Sequence, residues 1–256
     1  MEFFVEKKSI VRKIWGKSDT VLFIFAGAAA EFALNKAVDW LYFTGKLPSD
    51  PLGRLFSTVG YARRIVFSSM DEANEAIDIM RKIHVSVEQN RGATIPDWAY
   101  RDVLFMLIHY SISAYELLEE KLNDEEKEEV YNVFYRVGVR MGLKLLPTTY
   151  LEWLPVRHDH LMENLQKSKY TADLFKQYKK HLGILRFKLL IEGQKLVVPH
   201  RVGELLEFGN FSLLTLVLPL YKISKLMRID QLVKNILLPS NYKKQINELD
   251  IPQSQN

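Results

Sequence analysis

Apolar residues recur at helical spacing along almost the whole chain, and the alternating runs that mark strands are nearly absent. A first segment over residues 9–17 leads through Ser18-Asp19-Thr20 into a helix predicted for residues 21–43. The breaker-rich stretch Thr44-Gly45-Lys46-Leu47-Pro48-Ser49-Asp50-Pro51 ends it. The next helix, from about Leu52, carries Arg54, Thr58, Tyr61 and Ile65 on one side. Asp71 is expected to cap a further helix on which Ile77, Met80, His84, Val87 and Arg91 share one face, with Gly92 as its stop. Pro96-Asp97 opens another, and its stretch 103–108 is apolar all round, as in the centre of a bundle. Asn123 and Glu126 form a capping box ahead of Val130, Phe134, Val137 and Met141, and Thr149 with Glu152 repeats the device for a helix through Leu165. Helical periodicity continues over 170–190. Residues 196–199 read as a short extended connector, followed by apolar segments over 205–220 and 226–238 and a polar tail from Asn241. With no repeat, low-complexity tract or linker, the pattern predicts an all-α, single-domain multi-helix bundle over 1–256.

Composition narrows the chemistry. At 256 residues, 48% hydrophobic and 26% charged, the chain is able to bury a sizeable core. Lys and Arg exceed Asp and Glu by 35 to 31, a net charge of +4 with no basic stripe, which argues against nucleic acid as a partner. Cysteine is absent. Disulfides, zinc thiolates, iron–sulfur clusters and cysteine nucleophiles are thereby excluded, leaving the six histidines (84, 109, 158, 160, 181, 200) for any transition metal. Early charges at Glu2, Glu6, Lys7 and Lys8 argue against a secretory signal, and the apolar runs 21–30 and 211–221 are too short to span a bilayer. The expectation is a soluble, cytoplasmic protein. Lys222, Lys225, Arg228 and Lys234 among Leu, Ile and Val give the C-terminal segment a basic amphipathic character suited to peripheral contact with the inner face of a membrane. The commoner arrangement is a helix packed on the bundle with its lysines in water.

Familiar catalytic motifs are missing: no Gly-rich phosphate loop, no Gly-x-Ser-x-Gly elbow, no His-Glu-x-x-His helix. In Arg157-His158-Asp159-His160 the two histidines are two apart and diverge on a helix, so a solvated polar patch is expected rather than a ligand set. The acidic run 116–129 lacks the Glu-x-x-His pairs of a di-iron site and reads as a solvent-facing turn. His84 lies on an apolar stripe, and His109 follows the apolar run 105–108. A lone imidazole on such a face is more often a satisfied core residue than a ligand. A haem site asks for a neutral imidazole, an apolar slot, cations for the propionates and polar groups opposite the ligand. The chain has the residue types in His84 and in Arg54, Arg63, Arg64 and Arg91. Arg54 and Thr58, one turn apart, share a face suited to polarising dioxygen, though a surface arginine near a helix start has the same spacing. On the residues alone both readings stand.

Asp50-Pro51-Leu52-Gly53-Arg54-Leu55-Phe56-Ser57-Thr58, the helix from Asp71 into Met80-Arg81-Lys82-Ile83-His84, and Pro96-Asp97-Trp98-Ala99-Tyr100 resemble the latex-clearing rubber oxygenases and the fungal mycophenolate-pathway (MpaB-like) oxygenases. The resemblance runs from about residue 10 to 239 and includes Ala114-Tyr115, residues 123–142 and Leu146-Pro147-Thr148-Thr149. It implies a helical fold around haem b, with His84 as the iron ligand and Arg54 and Thr58 as catalytic residues on the opposite side. Arg91 is expected near the cofactor as a cation for the propionates, and the resemblance implies a supporting or core role for His109. The implied reaction takes dioxygen to a lipophilic, isoprenoid or alkene-containing substrate. Three departures stand out. Ser57 replaces a lysine of the rubber enzymes, and Gly27-Ala28-Ala29-Ala30-Glu31 lies where many bacterial relatives carry His-Pro. The acidic catalytic residue has no clear counterpart, Glu31 and Asp39 being the two candidates. The alternative is a non-catalytic helical protein that binds lipid or haem at a membrane surface.

Overall fold

The periodicity yields helices throughout. A computed structural model describes residues 2–43, 45, 49–209 and 211–226, and among them the only extended pairings are isolated bridges of Phe3 with Ser69 and Asn35 with Leu165. The described helices are α1 (Ile10–Trp15), α2 (Ser18–Phe32), α3 (Val38–Phe43), α4 (Pro51–Phe67), α5 (Met70–Arg91), α6 (Asp97–Leu118), α7 (Asp124–Met141), α8 (Tyr150–Glu163), α9 (Lys169–Val197), α10 (His200–Leu205) and α11 (Leu214–Leu226). The segment 227–238 with Arg228 and Lys234, the polar tail from Asn241 and part of the loop over 44–51 lie outside the described residues.

Several helix ends follow the local chemistry. Asn123 and Glu126 exchange side chain-to-backbone bonds, and Gly92 and Gly142 take the left-handed conformation that ends α5 and α7. The start of α5 differs from expectation. Ser69, not Asp71, is the cap: its hydroxyl accepts from the Glu72 amide while Glu72 accepts from the Ser69 amide. Asp71 lies inside the first turn, where its charge suits the positive end of the helix. At α8, Thr149 caps as expected, but the Glu152 carboxylate reaches back to the amide and hydroxyl of Thr148 instead.

The helix predicted over 21–43 is broken between Phe32 and Val38. Asn35 supplies the reason: its Oδ1 accepts from the Ala37 amide at 2.8 Å and its Nδ2 donates to Asp102 Oδ2 at 2.7 Å, substituting for the helical ladder. The freed backbone pairs with a distant segment, Lys36 N to Asn164 O and Gln166 N to Leu34 O. Helix α9 runs into the predicted connector as far as Val197, leaving Val198 and Pro199 extended, and bends at Gly183, whose φ is 74°.

Helices α2 and α6 pack closely across the core. Their approach depends on Gly27, where an added Cβ would stand 2.3 Å from the Tyr110 ring. Trp15, Phe105, Tyr110, Tyr131 and Trp153 fill the interior around this crossing. The stretch 103–108 is not buried all round, since Val103 is 39% exposed while Leu104, Phe105, Met106 and Ile108 face inward. None of the described helices is long and apolar enough to cross a membrane.

Candidate functional site

Helices α4 and α5 pack side by side and carry most of the residues singled out from the sequence. Asp50 caps α4 through Gly53 N at 2.9 Å and Pro51 occupies its first turn, which sets Arg54 at the helix start. Thr58, one turn on, donates its hydroxyl to the Arg54 carbonyl at 3.1 Å. Burial lowers the pKa of the Arg54 guanidinium, and among the described residues it forms no ion pair with a carboxylate.

His84 faces this region from α5. Its Nδ1 lies 2.8 Å from the Met80 carbonyl, and since a carbonyl only accepts, Nδ1 carries the hydrogen. In the neutral ring Nε2 is then the nitrogen with the free lone pair. Burial lowers the His84 pKa; the bond to Met80 opposes this, and the positive charge of Arg54 reinforces it. The imidazole is therefore neutral near pH 7. The edge of Tyr100 packs against it, centroids 5.2 Å apart and planes at 75°. Tyr100 is anchored in turn by its hydroxyl to Glu88 Oε1 at 3.2 Å, the oxygen that also accepts from Ile95 N.

Arg91 stands two turns beyond His84 on the same helix. It donates to Asp39 Oδ2 at 2.6 Å and stacks 4.0 Å from the centre of the Trp40 ring, while its Nη1 is buried without a partner. The other two arginines of the sequence set are engaged elsewhere. Arg63 donates to the Trp15 carbonyl and lies over Phe67, and Arg64 pairs with Glu75.

His109 belongs to a different neighbourhood. It is half-buried, its ring at 87° to that of Tyr110 and its Nε2 3.3 Å from Ser113 Oγ. Burial, with Arg157 nearby, pushes its pKa down to about 3. Beside it, Arg157 grips Glu31 with two bonds of 2.7 and 2.5 Å, and the Tyr110 hydroxyl donates to the same carboxylate at 2.8 Å. His160 bonds Asp102 through Nδ1, and Asn35 and Asn164 donate to the same side chain. The solvated patch expected at 157–160 is thus half correct: His158 and Asp159 face water, whereas Arg157 and His160, three apart, face the interior. Only the i, i+3 spacing of those two hinted at it, because their partners lie far away in sequence. Likewise, Glu116 in the acidic run is mostly covered and accepts from Leu122 N and two lysines.

Among the described residues no group of three or more His, Asp or Glu side chains could hold a metal ion. A family described as "ER-bound oxygenase mpaB/B'/Rubber oxygenase, catalytic domain" matches residues 13–215, from within α1 to the start of α11. No curated protein and no solved structure matches the chain.

Proposed function

The chain belongs to the mpaB and rubber oxygenase catalytic-domain family, and from that premise we propose that it is a haem-b-dependent oxygenase acting with dioxygen on a lipophilic, alkene-containing substrate. The observation that carries the proposal is the state of His84. A haem iron takes four donors from the porphyrin and asks the protein for one neutral imidazole, so a three-ligand cluster is not required. The Nδ1–H bond to Met80 leaves Nε2 bare, as in metal-binding histidines oriented by a backbone carbonyl. A second fit comes from Arg91, whose buried, unpartnered Nη1 suits a carboxylate such as a haem propionate.

When bound, haem supplies the iron chemistry that activates dioxygen toward an alkene. The chain's own residues have narrower tasks. Met80 and Tyr100 fix the His84 ring, and burial keeps it unprotonated. Arg54, partly desolvated and permanently charged, would offer a donor to oxygen atoms near His84, and Thr58 stands one turn away. Neither acidic candidate is free. Glu31 is held by Arg157 and Tyr110 with 1% of its side chain exposed, whereas Asp39, paired with Arg91, keeps 34%. Asp39 is therefore the one a proton can reach.

Titration of the purified full-length chain with haem tests this reading. A saturable Soret band is expected, with His84→Ala weakening binding at least about tenfold through loss of the iron bond. No Soret band, or an unchanged one in His84→Ala, would overturn it. Oxygen uptake by the reduced, loaded protein with an isoprenoid alkene then separates an oxygenase from a protein that only binds haem.

A further inference from the structure

The ring packed against His84 is a phenol, and a phenol is able to give up an electron. Tyr100 stands at 75° to the imidazole with centroids 5.2 Å apart, and among the described residues no other aromatic ring packs on His84. A phenol that loses an electron becomes a strong acid, so its oxidation is eased when a base takes the proton in the same step. Such a base must lie within hydrogen-bond reach, about 2.6–3.2 Å between heavy atoms. Glu88 Oε1 accepts from the Tyr100 hydroxyl at 3.2 Å. Glu88 is also partly exposed, so a proton placed on it can pass to water.

Other phenols donate to carboxylates, but each lacks part of this arrangement. Tyr110 donates to Glu31, which Arg157 already grips and which is 1% exposed. Tyr42 and Tyr221 donate to Asp173 and Asp19, and neither ring packs on His84. Tyr100 joins the two requirements: one side of it meets the imidazole and its hydroxyl meets a base open to solvent.

We propose, on the reading of His84 as the iron ligand, that Tyr100 is a one-electron donor to the haem site, with Glu88 as the base that takes its proton. Its task is to reduce an oxidised site when no organic substrate is bound. Hydrogen peroxide is the oxidant. It withdraws two electrons from the loaded site as one of its oxygens leaves as water. Tyr100 returns one of those electrons, its O–H bond breaks, and the proton moves to Glu88 Oε1. A neutral phenoxyl radical remains on Tyr100, the second oxidising equivalent stays at the site, and Glu88 releases the proton to solvent.

Electron paramagnetic resonance tests this on the haem-loaded full-length chain, frozen after mixing with peroxide in the absence of organic substrate. Wild type is expected to give a radical signal that narrows when the protein carries ring-deuterated tyrosine. Tyr100→Phe keeps a ring against His84 but has no O–H bond to break, and is expected to keep the Soret band and lose most of the signal. Glu88→Gln keeps a hydrogen-bond acceptor but not a base, and is expected to weaken the signal as well. Wild type without a Soret band overturns the haem reading and this proposal together. A Soret band with no tyrosine radical, or with a radical as strong in Tyr100→Phe as in wild type, overturns this proposal alone. If Tyr100→Phe no longer takes up haem, Glu88→Gln decides, and an undiminished signal there overturns the proposal.

Discussion

Arg157 on α8 and Glu31 on α2 meet in the interior as a two-pronged pair, Nη1 to Oε1 at 2.7 Å and Nη2 to Oε2 at 2.5 Å, with 5% and 1% of their side chains exposed. Taking two charges out of water is costly, and the pair repays this only while both partners remain. Arg157→Met should therefore strand Glu31 and destabilise the fold by about 3–5 kcal/mol in urea denaturation. Glu31→Leu/Arg157→Met removes both charges and should cost clearly less than the single change. A double variant no better than Arg157→Met would show that packing, not charge, governs the site.

Gly27 supports the same region. A helical Gly→Ala change ordinarily stabilises by about 1 kcal/mol. Here the new Cβ would stand 2.3 Å from two atoms of the Tyr110 ring, which is fully buried and hydrogen-bonded to Glu31. Gly27→Ala should instead destabilise by about 1–3 kcal/mol. Gly60, mid-way along α4 with nothing within 4 Å of where an alanine methyl would stand, is the control, and Gly60→Ala should raise the melting temperature.

Glu88 offers a test on the proposed haem site. It lies one turn beyond His84 and is fixed by Tyr100 and Ile95. Its negative charge favours the cationic form of the imidazole, and by the same attraction would favour the more positive, ferric state of an iron bound there. In protein loaded with haem, Glu88→Gln should raise the reduction potential while leaving the Soret band in place. A lowered or unchanged potential in spectroelectrochemistry would contradict it.

How far the residues disclosed the molecule depended on how local each cause is. Caps such as Asn123 with Glu126 and stops such as Gly92 are decided within one helical turn, and they stand where the pattern puts them. The break at Asn35 was invisible because its partners, Asp102 and the backbone from Asn164 to Gln166, are remote in sequence. His160 escaped notice for the same reason: two histidines two apart look solvated until Asp102 arrives from another helix. In the α4–α5 region the resemblance picked out His84, Arg54 and Thr58, but not the supporting bonds from Met80, Glu88 and Tyr100, which no motif encodes.

His109 gives the last prediction. Burial, helped by the Arg157 charge, pushes its folded pKa down to about 3, while the unfolded chain takes up this proton near the ordinary value of about 6.5. Between those limits the unfolded state binds more protons than the folded one, so stability rises with pH and is lost as pH falls. The loss from this residue should approach about 1.4 kcal/mol per pH unit below about pH 6. His109→Gln removes the titrating ring, and its urea midpoint should fall less steeply than that of wild type between about pH 6.5 and pH 4.5. The absolute stability of the variant does not decide the matter, because losing the contact with Tyr110 and Ser113 shifts both ends of the curve equally. Parallel slopes for the two proteins would mean that His109 takes up no proton on unfolding, and that the acid sensitivity resides in other groups.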